Sequence, residues 1–265
     1  MGNISIVTAF FDIGRGDWTP EKGLPHYLQR STDTYVERFG HLATLNNELI
    51  IFTSEDLVDK IKEKCVNRSS PTHILAIDFK NSFGDQRELI TKIQKDPNFI
   101  KMINPYQVKN PEYWCADYVL VNYLKSYFVE YAISQGVATQ DLVAWMDFGY
   151  CRDVSTLNGK EEWSFNFEED KIHFFDYKDY NGQPIQNIIA NNDVHILGAK
   201  IVAGKNMWPK LRELISGAFK NLTDANLIDD DQTMMLLASL YQPEIFVKHR
   251  IIESAPFVMF KEYCE

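Results

Sequence analysis

The stretch Asp141-Leu142-Val143-Ala144-Trp145-Met146-Asp147-Phe148-Gly149-Tyr150-Cys151-Arg152-Asp153 is the most informative part of the chain for its fold. It begins with a short apolar run, residues 142–146, whose length is typical of a buried strand. The run ends at Asp147, and Gly149 favours a turn directly after it. Because ligands bind at the carboxyl ends of strands in open α/β sheets, Asp147 is placed to hold a metal ion or a polar ligand group. A structural Asp that caps the turn is the alternative.

Composition and charge exclude several classes of protein. The 265 residues are 45% hydrophobic, which is typical of a globular chain with a substantial core. The net charge of −10 lacks the basic excess that nucleic-acid binding needs, so we expect no nucleic-acid partner. Asp147-Phe148-Gly149 matches the DFG of kinases, but the other kinase motifs are missing from the sequence.

The sequence also predicts where the protein is found. The four cysteines form no CxxC or other metal-ligand spacing, so we interpret them as reduced thiols. We see no signal peptide, and no apolar run approaches the ~20 residues that a transmembrane helix needs. We therefore expect a cytoplasmic protein, with any membrane association peripheral and at the inner face of the cytoplasmic membrane.

The order of predicted elements indicates an α/β fold with a mostly parallel central sheet flanked by helices. Strands are predicted at residues 3–11, 47–53, 73–79, 142–146, 163–167, 171–177, 193–203 and 244–249. Helices are predicted at residues 26–39, 55–64, 86–94, 112–135, 208–222 and 229–240, and residues 96–111 are predicted to form a loop. We place the whole chain in one domain with two halves, about residues 1–153 and about 154–265.

Two basic residues are candidates for contact with an anion. Arg15 follows the first strand in a loop with two glycines and could meet a phosphate, although an ordinary surface turn is the alternative. Lys125 interrupts the apolar surface of the predicted helix at residues 112–135, where an unpaired ammonium is costly. It either extends to solvent or reaches an anion. In the second case, Lys125→Met should weaken ligand binding and leave stability unchanged.

Acidic and basic clusters mark the second half of the chain. Asp229, Asp230 and Asp231 open a predicted helix, where the helix dipole favours one or two acids. Three adjacent acids repel each other, which suggests a partner or a raised pKa. Residues 248–250, Lys-His-Arg, form the densest basic cluster and could face a phosphate, or could simply be a solvated strand end.

Two motifs together resemble the HtrL/YibB family, which includes WlaTC-like bacterial proteins. They are Thr8-Ala9-Phe10-Phe11-Asp12-Ile13-Gly14-Arg15-Gly16-Asp17-Trp18 and Trp145-Met146-Asp147-Phe148-Gly149-Tyr150. The resemblance covers nearly the whole chain, and the family is found with bacterial surface-polysaccharide genes. A looser resemblance is to GT-A glycosyltransferases, which implies a GT-A-like sheet whose Rossmann-like N-terminal half binds a nucleotide.

The GT-A resemblance implies roles for particular residues. Asp147-Phe148-Gly149 stands where these enzymes carry a DxD motif, which would hold Mn²⁺ or Mg²⁺ through Asp147 and His249. The second Asp of the motif is Gly149 here, so Asp153 or His249 would substitute for it, or the enzyme would use no metal. Asp231 is the expected catalytic base, with Asp230 as the second choice. The expected donor-binding residues are Thr8, Phe10, Arg15, Trp18, Lys125, Asp147, Gly149, Lys205 and Lys248.

The resemblance implies a hexosyltransferase type of glycosyltransferase. The donor would be a nucleotide sugar, with a UDP-sugar expected. The acceptor would be a saccharide or lipid-linked saccharide of a bacterial surface glycan, such as lipopolysaccharide, lipooligosaccharide or capsule. Two alternatives stay open. A catalytically inactive nucleotide-sugar-binding or regulatory protein would bind nucleotide without transfer, and a nucleotidyltransferase-like enzyme would turn over nucleoside triphosphates.

Overall fold

The computed structural model describes residues 3–265, which fold as strands and helices around one sheet. The strands are β1 (Ile4–Phe10), β2 (Leu49–Thr53), β3 (Thr72–Ala76), β4 (Leu142–Met146), β5 (Ile172–Asp176), β6 (Lys200–Gly204) and β7 (Phe246–Arg250). The helices are α1 (Thr32–Leu42), α2 (Val58–Cys65), α3 (Gly84–Gln94), α4 (Pro97–Met102), α5 (Ala116–Tyr123), α6 (Lys125–Ser134), α7 (Ile185–Asn191), α8 (Trp208–Asp224), α9 (Asp231–Tyr241) and α10 (Met259–Glu262). None of these helices is long and apolar enough to cross a membrane.

The seven strands lie in the order β3-β2-β1-β4-β6-β5-β7. Every neighbouring pair is parallel except those of β6, which runs antiparallel to β4 and to β5. The predicted α/β class and mostly parallel sheet are therefore confirmed. The parallel set β3-β2-β1-β4 has the order of the first four strands of a Rossmann sheet, which confirms the Rossmann-like N-terminal half.

The central strands are buried on both faces of the sheet. All residues of β1, β2, β4 and β6 are buried, as expected where helices cover both faces. One apolar cluster contains Phe128 and Trp208, and the other contains Phe39 and Phe260. The chain runs from β1 outward to β2 and β3, then returns to place β4 on the other side of β1. Ligands bind at such a reversal, outside the carboxyl ends of the strands.

Two strand predictions in the second half need correction. Residues 163–167 form no strand, and within residues 3–265 their ladder contact is a single bridge between Ser164 and Asn3. Their aromatic pattern reflects packing, because Trp163 and Phe167 are buried in the cluster that contains Phe39. The strand predicted at 193–203 is confined to β6, and the segment before Gly198 approaches the sheet without joining it as a strand.

The helix predictions differ mainly at the ends. The predicted helix at 112–135 is two helices, α5 and α6, which separate at Leu124, so that Lys125 begins the second. Helix α1 begins later than predicted because the Ser31 hydroxyl caps it by accepting a hydrogen bond from the Thr34 N–H. Helix α4 lies inside the predicted loop, and the Asp96 carboxylate caps its first turn.

Candidate functional site

A crevice opens at the carboxyl ends of β1 and β4, where the strand order reverses. We call its first part the arginine pocket; its walls include Phe10, Arg15, Arg30, Tyr35, Asp147 and Arg152. The second part, the aspartate pocket, is lined by Asn122, Tyr177, Gly198, Asp230, Asp231 and Gln232 among others. Lys125 and Asp147 line both pockets. The strand end that the sequence indicated therefore lies between two adjoining cavities.

Lys125 is held by three acceptors of the protein itself. Its Nζ donates to Oδ2 of Asp231 at 2.8 Å and to the Gly198 carbonyl oxygen at 2.8 Å, and it lies 3.0 Å from Oδ1 of Asp147. An ammonium has three N–H donors, and these three contacts use all of them. The structure therefore shows that Lys125 does reach an anion, but the anion is a pair of carboxylates from the same chain.

The charges of this cluster depend on each other. Burial alone would lower the pKa of Lys125, but Asp147 and Asp231 outweigh burial and raise it. Burial raises the pKa of Asp231, an effect that Lys125 opposes and Asp147 reinforces. The side chain of Asp147 is 40% exposed, against 7% for that of Asp231. Asp231 is thus a buried carboxylate with raised proton affinity, held in place by an ammonium.

Gly198 gives the Asp231 carboxylate the space that it occupies. A Cβ at position 198 would lie 2.1 Å from Oδ2 of Asp231. The Gly198 carbonyl also accepts a hydrogen bond from Lys125. A glycine is therefore needed for close approach, which is the role that a glycine before a strand can indicate.

Helix α9 presents the acidic residues to the aspartate pocket. Asp230 is its N-cap, and Oδ1 of Asp230 accepts the Gln232 N–H at 3.0 Å. Burial, followed by the charges of Asp229 and Asp231, raises the pKa of Asp230. Of the two acids predicted to be catalytic, Asp230 has a capping role, and Asp231 has the contact with Lys125.

The other side of the crevice is rich in guanidinium groups. Arg15, Arg30 and Arg152 line the arginine pocket, and Arg38 lies close behind Gly149. In residues 3–265 none of these four lies within salt-bridge distance of a carboxylate. The Nη1 atom of Arg38 and the Nε atom of Arg152 are buried without a hydrogen-bond partner in that part of the chain. Unpaired buried guanidinium nitrogens are costly and are satisfied when an anion binds.

The pKa values of Arg152 and Arg38 are lowered by burial first and by the neighbouring arginines second. Burial, and then the charges of Arg30 and Arg38, lower the pKa of Arg152 to about 10. Burial also lowers the pKa of Arg38, and Arg30 and Arg15 lower it further. A local excess of positive charge thus lies in a chain whose net charge is −10. Guanidinium groups bind phosphate oxygens through paired N–H donors, so this pocket has the chemistry of a phosphate site.

Arg15 is positioned by neighbours on both sides. It donates to the Tyr35 hydroxyl at 2.6 Å and to the Leu28 carbonyl oxygen at 3.1 Å. Its guanidinium lies 5.1 Å from the ring centre of Trp18, which packs edge-on against Trp114. Trp18 therefore supports Arg15 from behind, and it does not line either pocket.

Gly149 lies in the turn after β4, at a position where side chains of α1 leave little space. Its φ angle is not positive, whereas an added Cβ would lie 3.0 and 3.1 Å from two ring carbons of Tyr35. Helix α1 thus packs directly against the backbone at this position. The predicted turn after Asp147 is confirmed, because the Tyr150 N–H donates to the Asp147 carbonyl oxygen at 2.8 Å, and this turn does not use the left-handed conformation that favours glycine.

Two other predicted donor residues lie on β1. Phe10 lines the arginine pocket and stacks on Phe148, with ring centres 5.0 Å apart. Thr8 is fully buried two residues earlier on the strand, lines neither pocket, and has no hydrogen-bond partner for Oγ1 among the described residues. The structure places Phe10 at the crevice and Thr8 within the sheet.

Three predicted basic residues do not reach the crevice. Lys205 follows β6, which runs antiparallel, so it lies at the opposite edge of the sheet and pairs with Asp141 at 2.6 Å. Lys248 is exposed on β7, and His249 lies beside it. Strands β5 and β6 separate β7 from β4, which puts β7 three strand spacings, roughly 14 Å, from β4.

His249 has a structural environment of its own. Its Nε2 lies 2.9 Å from Nδ1 of His173, and its ring stacks on Phe175. Burial and the neighbouring His173 lower the pKa of His249 to about 4. The expected metal pair of Asp147 and His249 is therefore not brought together.

The residues around Asp147 do not fit a divalent cation. Its Oδ1 already accepts a hydrogen bond from Nε1 of Trp145 at 2.9 Å and contacts the Lys125 ammonium. Asp153 caps a 3-10 turn through Ser155, so it does not supply the missing carboxylate. Nowhere in residues 3–265 do three His, Cys, Asp or Glu side chains form a group that could hold a metal.

Sequence reasoning missed several residues of the crevice. They are Arg30, Tyr35, Arg38, Tyr118, Asn122 and Arg152. Arg152 follows β4 and is five residues after Asp147, so its position in the sequence could have indicated that it lies near the same strand end. The others belong to α5 or to α1 and the segment before it, and no local motif marks them.

The fold and this site define an α/β protein with a cationic crevice beside a buried carboxylate. The family model described as "Bacterial protein of unknown function (HtrL_YibB)" matches residues 2–264, and the chain belongs to that family. Protein HtrL of Escherichia coli (strain K12) is 41% identical over 246 residues, which cover 91% of this chain and 86% of HtrL. The family resemblance read from the two motifs is therefore confirmed.

Among solved structures, the chain is similar to mouse xyloside xylosyltransferase 1 in its apo form. The TM-score is 0.42 with 11% sequence identity, and the alignment covers 94% of this chain and 85% of the mouse chain. A likeness at this level does not decide function, so the proposal below depends on the residues of the crevice.

Proposed function

We propose that the protein is a glycosyltransferase that takes its sugar from a nucleoside-diphosphate sugar. The observation that carries the proposal is a set of guanidinium groups with no carboxylate partner in residues 3–265, those of Arg15, Arg30 and Arg152, in a crevice that also contains the buried Asp231 carboxylate. The guanidinium groups suit the binding of a diphosphate, and the Asp231 carboxylate suits the removal of a proton from a hydroxyl. An inverting sugar transfer from a nucleotide sugar uses both within one crevice.

The diphosphate of the donor would occupy the arginine pocket. Arg15 and Arg152 would face its oxygens, with Arg30 beside them. As the glycosidic bond breaks, negative charge gathers on the leaving diphosphate, and fixed guanidinium groups stabilise that charge. The unpaired Nε of Arg152, which lines both pockets, would gain an acceptor when the donor binds.

The nucleoside would extend toward a third cavity. This cavity lies at the carboxyl ends of β1, β2 and β3 and shares Phe11 and Asp12 with the arginine pocket. Its wall includes Glu55, Asp56 and Asp78, whose carboxylate oxygens can accept hydrogen bonds from ribose hydroxyls. A nucleotide sugar would thus run along the carboxyl edge of the parallel strands.

The acceptor would enter the aspartate pocket, with its hydroxyl beside Asp231. The hydroxyl oxygen attacks the anomeric carbon of the sugar and forms the new glycosidic bond. The bond between that carbon and the diphosphate oxygen breaks, and its electron pair leaves with the diphosphate. The hydroxyl proton passes to the Asp231 carboxylate, whose raised pKa suits it to accept a proton. Asp147, half-exposed between the pockets, would bind a sugar hydroxyl.

The acceptor is proposed to be a saccharide or a lipid-linked saccharide. Tyr177, Asn122 and Gln232 offer the hydroxyl and amide groups that bind sugar hydroxyls in a polar pocket. The association of the family with surface-polysaccharide genes extends the proposal to a bacterial surface glycan.

The proposal is tested by incubating the protein with UDP-, GDP- and ADP-sugars and a panel of saccharide acceptors. We expect release of the nucleoside diphosphate and a new glycoside with one donor. Asp231→Asn should lower the turnover by about 10²- to 10⁴-fold and retain donor binding, because it removes the base and keeps the side-chain shape. Asp141→Asn, at the opposite sheet edge, is the matched control and should leave turnover unchanged.

Each alternative function has its own outcome in this experiment. Donor binding without product from any acceptor, unaffected by Asp231→Asn, would indicate a binding or regulatory protein. Release of pyrophosphate from a nucleoside triphosphate would indicate a nucleotidyltransferase. Either result would overturn the glycosyltransferase proposal.

A further inference from the structure

The place where a metal ion would contact Asp147 is already next to a positive charge. The Lys125 ammonium lies 3.0 Å from Oδ1 of Asp147 and 2.8 Å from Oδ2 of Asp231. A second cation at the same carboxylate would be repelled by this ammonium at short range, where solvent screening is weak. Lys125 cannot move away easily, because its side chain is buried and also bonded to Gly198.

The position of the second carboxylate is closed by packing. A side chain at position 149 would meet the Tyr35 ring at 3.0 Å and Cδ of Arg38 at 3.7 Å. An Asp at this position would therefore require the Tyr35 ring to shift. It would also bring a carboxylate to guanidinium groups that the proposed function leaves free for the donor. The side chains next to this position are Tyr35 and Arg38, whereas a metal site would need acids there.

We propose that the protein binds its donor and transfers the sugar without a divalent cation, with Lys125 paired to Asp147 and Asp231 while Arg15, Arg30 and Arg152 offset the charge of the leaving diphosphate. This inference rests on the proposed function, since it concerns the same donor. It divides two tasks of a metal ion between two sets of residues. Lys125 keeps the carboxylates charged and in place, and the guanidinium groups bind the phosphate oxygens directly.

Lys125 is thereby a positioning residue for Asp231. It contacts the carboxylate from the side of Gly198 and fixes it at the wall of the aspartate pocket. Because the ammonium favours the charged carboxylate, its loss should raise the pKa of Asp231 further. The pH profile of turnover in Lys125→Arg, which keeps the charge, should lie closer to that of the wild type than the profile of Lys125→Met.

The test is calorimetric titration of the protein with UDP, GDP and ADP, first in excess EDTA and then in excess MnCl₂. We expect the nucleotide that binds to do so in EDTA, with an affinity that MnCl₂ changes by less than about fivefold. Asp147→Asn should lose transfer but bind that nucleotide in EDTA at least as tightly as the wild type, because one negative charge near the diphosphate is removed. The control is Lys248→Met, which changes an exposed residue of the edge strand β7 and should bind the nucleotide as the wild type does.

The titrations distinguish failure of the metal-free inference from failure of the proposed function. Binding that appears only with MnCl₂, or that Asp147→Asn weakens only in MnCl₂, would overturn the metal-free inference and leave the proposed function standing. If no nucleotide binds in either buffer, the proposed function fails and the inference fails with it. If Lys125→Met proves unfolded, the EDTA and MnCl₂ titrations of the wild type still decide the question.

Discussion

Nζ of Lys125 lies 2.8 Å from Oδ2 of Asp231, across 106 positions of sequence. The pair joins the first turn of α6 to the first turn of α9 at the wall of the crevice. Both side chains are almost fully buried. Their contact therefore links the stability of the fold to the geometry of the candidate site.

Lys125→Met should lower the free energy of unfolding by about 3–5 kcal/mol. The change leaves the buried Asp231 carboxylate, and Asp147 next to it, without their shared cation. Urea denaturation at pH 7 measures this effect. The sequence alone predicted that the substitution would spare stability, and the structure reverses that expectation.

Lys205→Met is the control for Lys125→Met. It removes a lysine from the exposed pair with Asp141, so the expected cost is only about 0–1 kcal/mol. If Lys125→Met and Lys205→Met unfold at the same urea concentration as the wild type, the buried pair does not have the assigned role.

Gly198→Ala should displace the Asp231 carboxylate. The new Cβ would lie 2.1 Å from Oδ2 of Asp231, and such overpacking costs about 1–3 kcal/mol. Turnover should fall with stability, because the displaced group is the proposed base. Thermal unfolding and donor turnover are the two measurements.

Gly217→Ala, in the middle of α8, is the matched control for Gly198→Ala. No atom lies within 4 Å of a Cβ at position 217, and the residue is helical. Alanine should therefore stabilise the protein by about 0.5–1 kcal/mol. Wild-type turnover in Gly198→Ala would show that the close approach to Asp231 has no functional consequence.

Glu112 should make stability depend on pH. Burial, and then the charge of Asp229, raise the pKa of Glu112 to about 8, and Oε1 of Glu112 has no hydrogen-bond partner within residues 3–265. Because the folded pKa lies above the unfolded one, the contribution to stability is complete below about pH 4.5. It is lost as the pH rises through about 8.

Glu112→Gln should remove this dependence, since the amide keeps the size of the side chain and cannot ionise. Relative to the wild type, the free energy of unfolding of the variant should increase by up to about 1.4 kcal/mol per pH unit between about pH 5 and 8. Urea denaturation of both proteins across that range measures the gain. Glu161→Gln changes an exposed residue and should show no such increase in the free energy of unfolding. If the difference in free energy of unfolding between Glu112→Gln and the wild type does not change with pH, the raised pKa of Glu112 is contradicted.

The sequence predicted the parts of the site that carry a local signal. Asp147 ends an apolar strand, Asp231 opens a helix, and Lys125 interrupts an apolar helical surface. Those three residues meet in the structure. That Lys125 would pair with both carboxylates could not be predicted, because the contacts join distant parts of the chain. Arg30 and Arg38 were missed for the same reason.

The prediction that Lys205 binds the donor failed for a different physical reason. Strand β6 is buried on both faces, and after Lys200 its sequence is a short apolar run that does not indicate the direction of the strand. A parallel β6 would have brought Lys205 to the carboxyl edge of the sheet. The antiparallel strand instead brings Lys200 to that edge, opposite Met146.

The decisive measurement is a calorimetric titration with UDP, GDP, ADP and CMP of the wild type, Arg152→Met and Arg250→Met. We predict that one nucleoside diphosphate binds the wild type and that the monophosphate CMP binds it less tightly. Arg152→Met should weaken diphosphate binding by about 10- to 100-fold, the value of a charge-assisted hydrogen bond. Arg250 lies on the edge strand β7 and is paired with Asp176 of β5, so Arg250→Met should bind nucleotide as the wild type does. Binding of no nucleotide, or equal binding by Arg152→Met, would contradict a donor site in the arginine pocket.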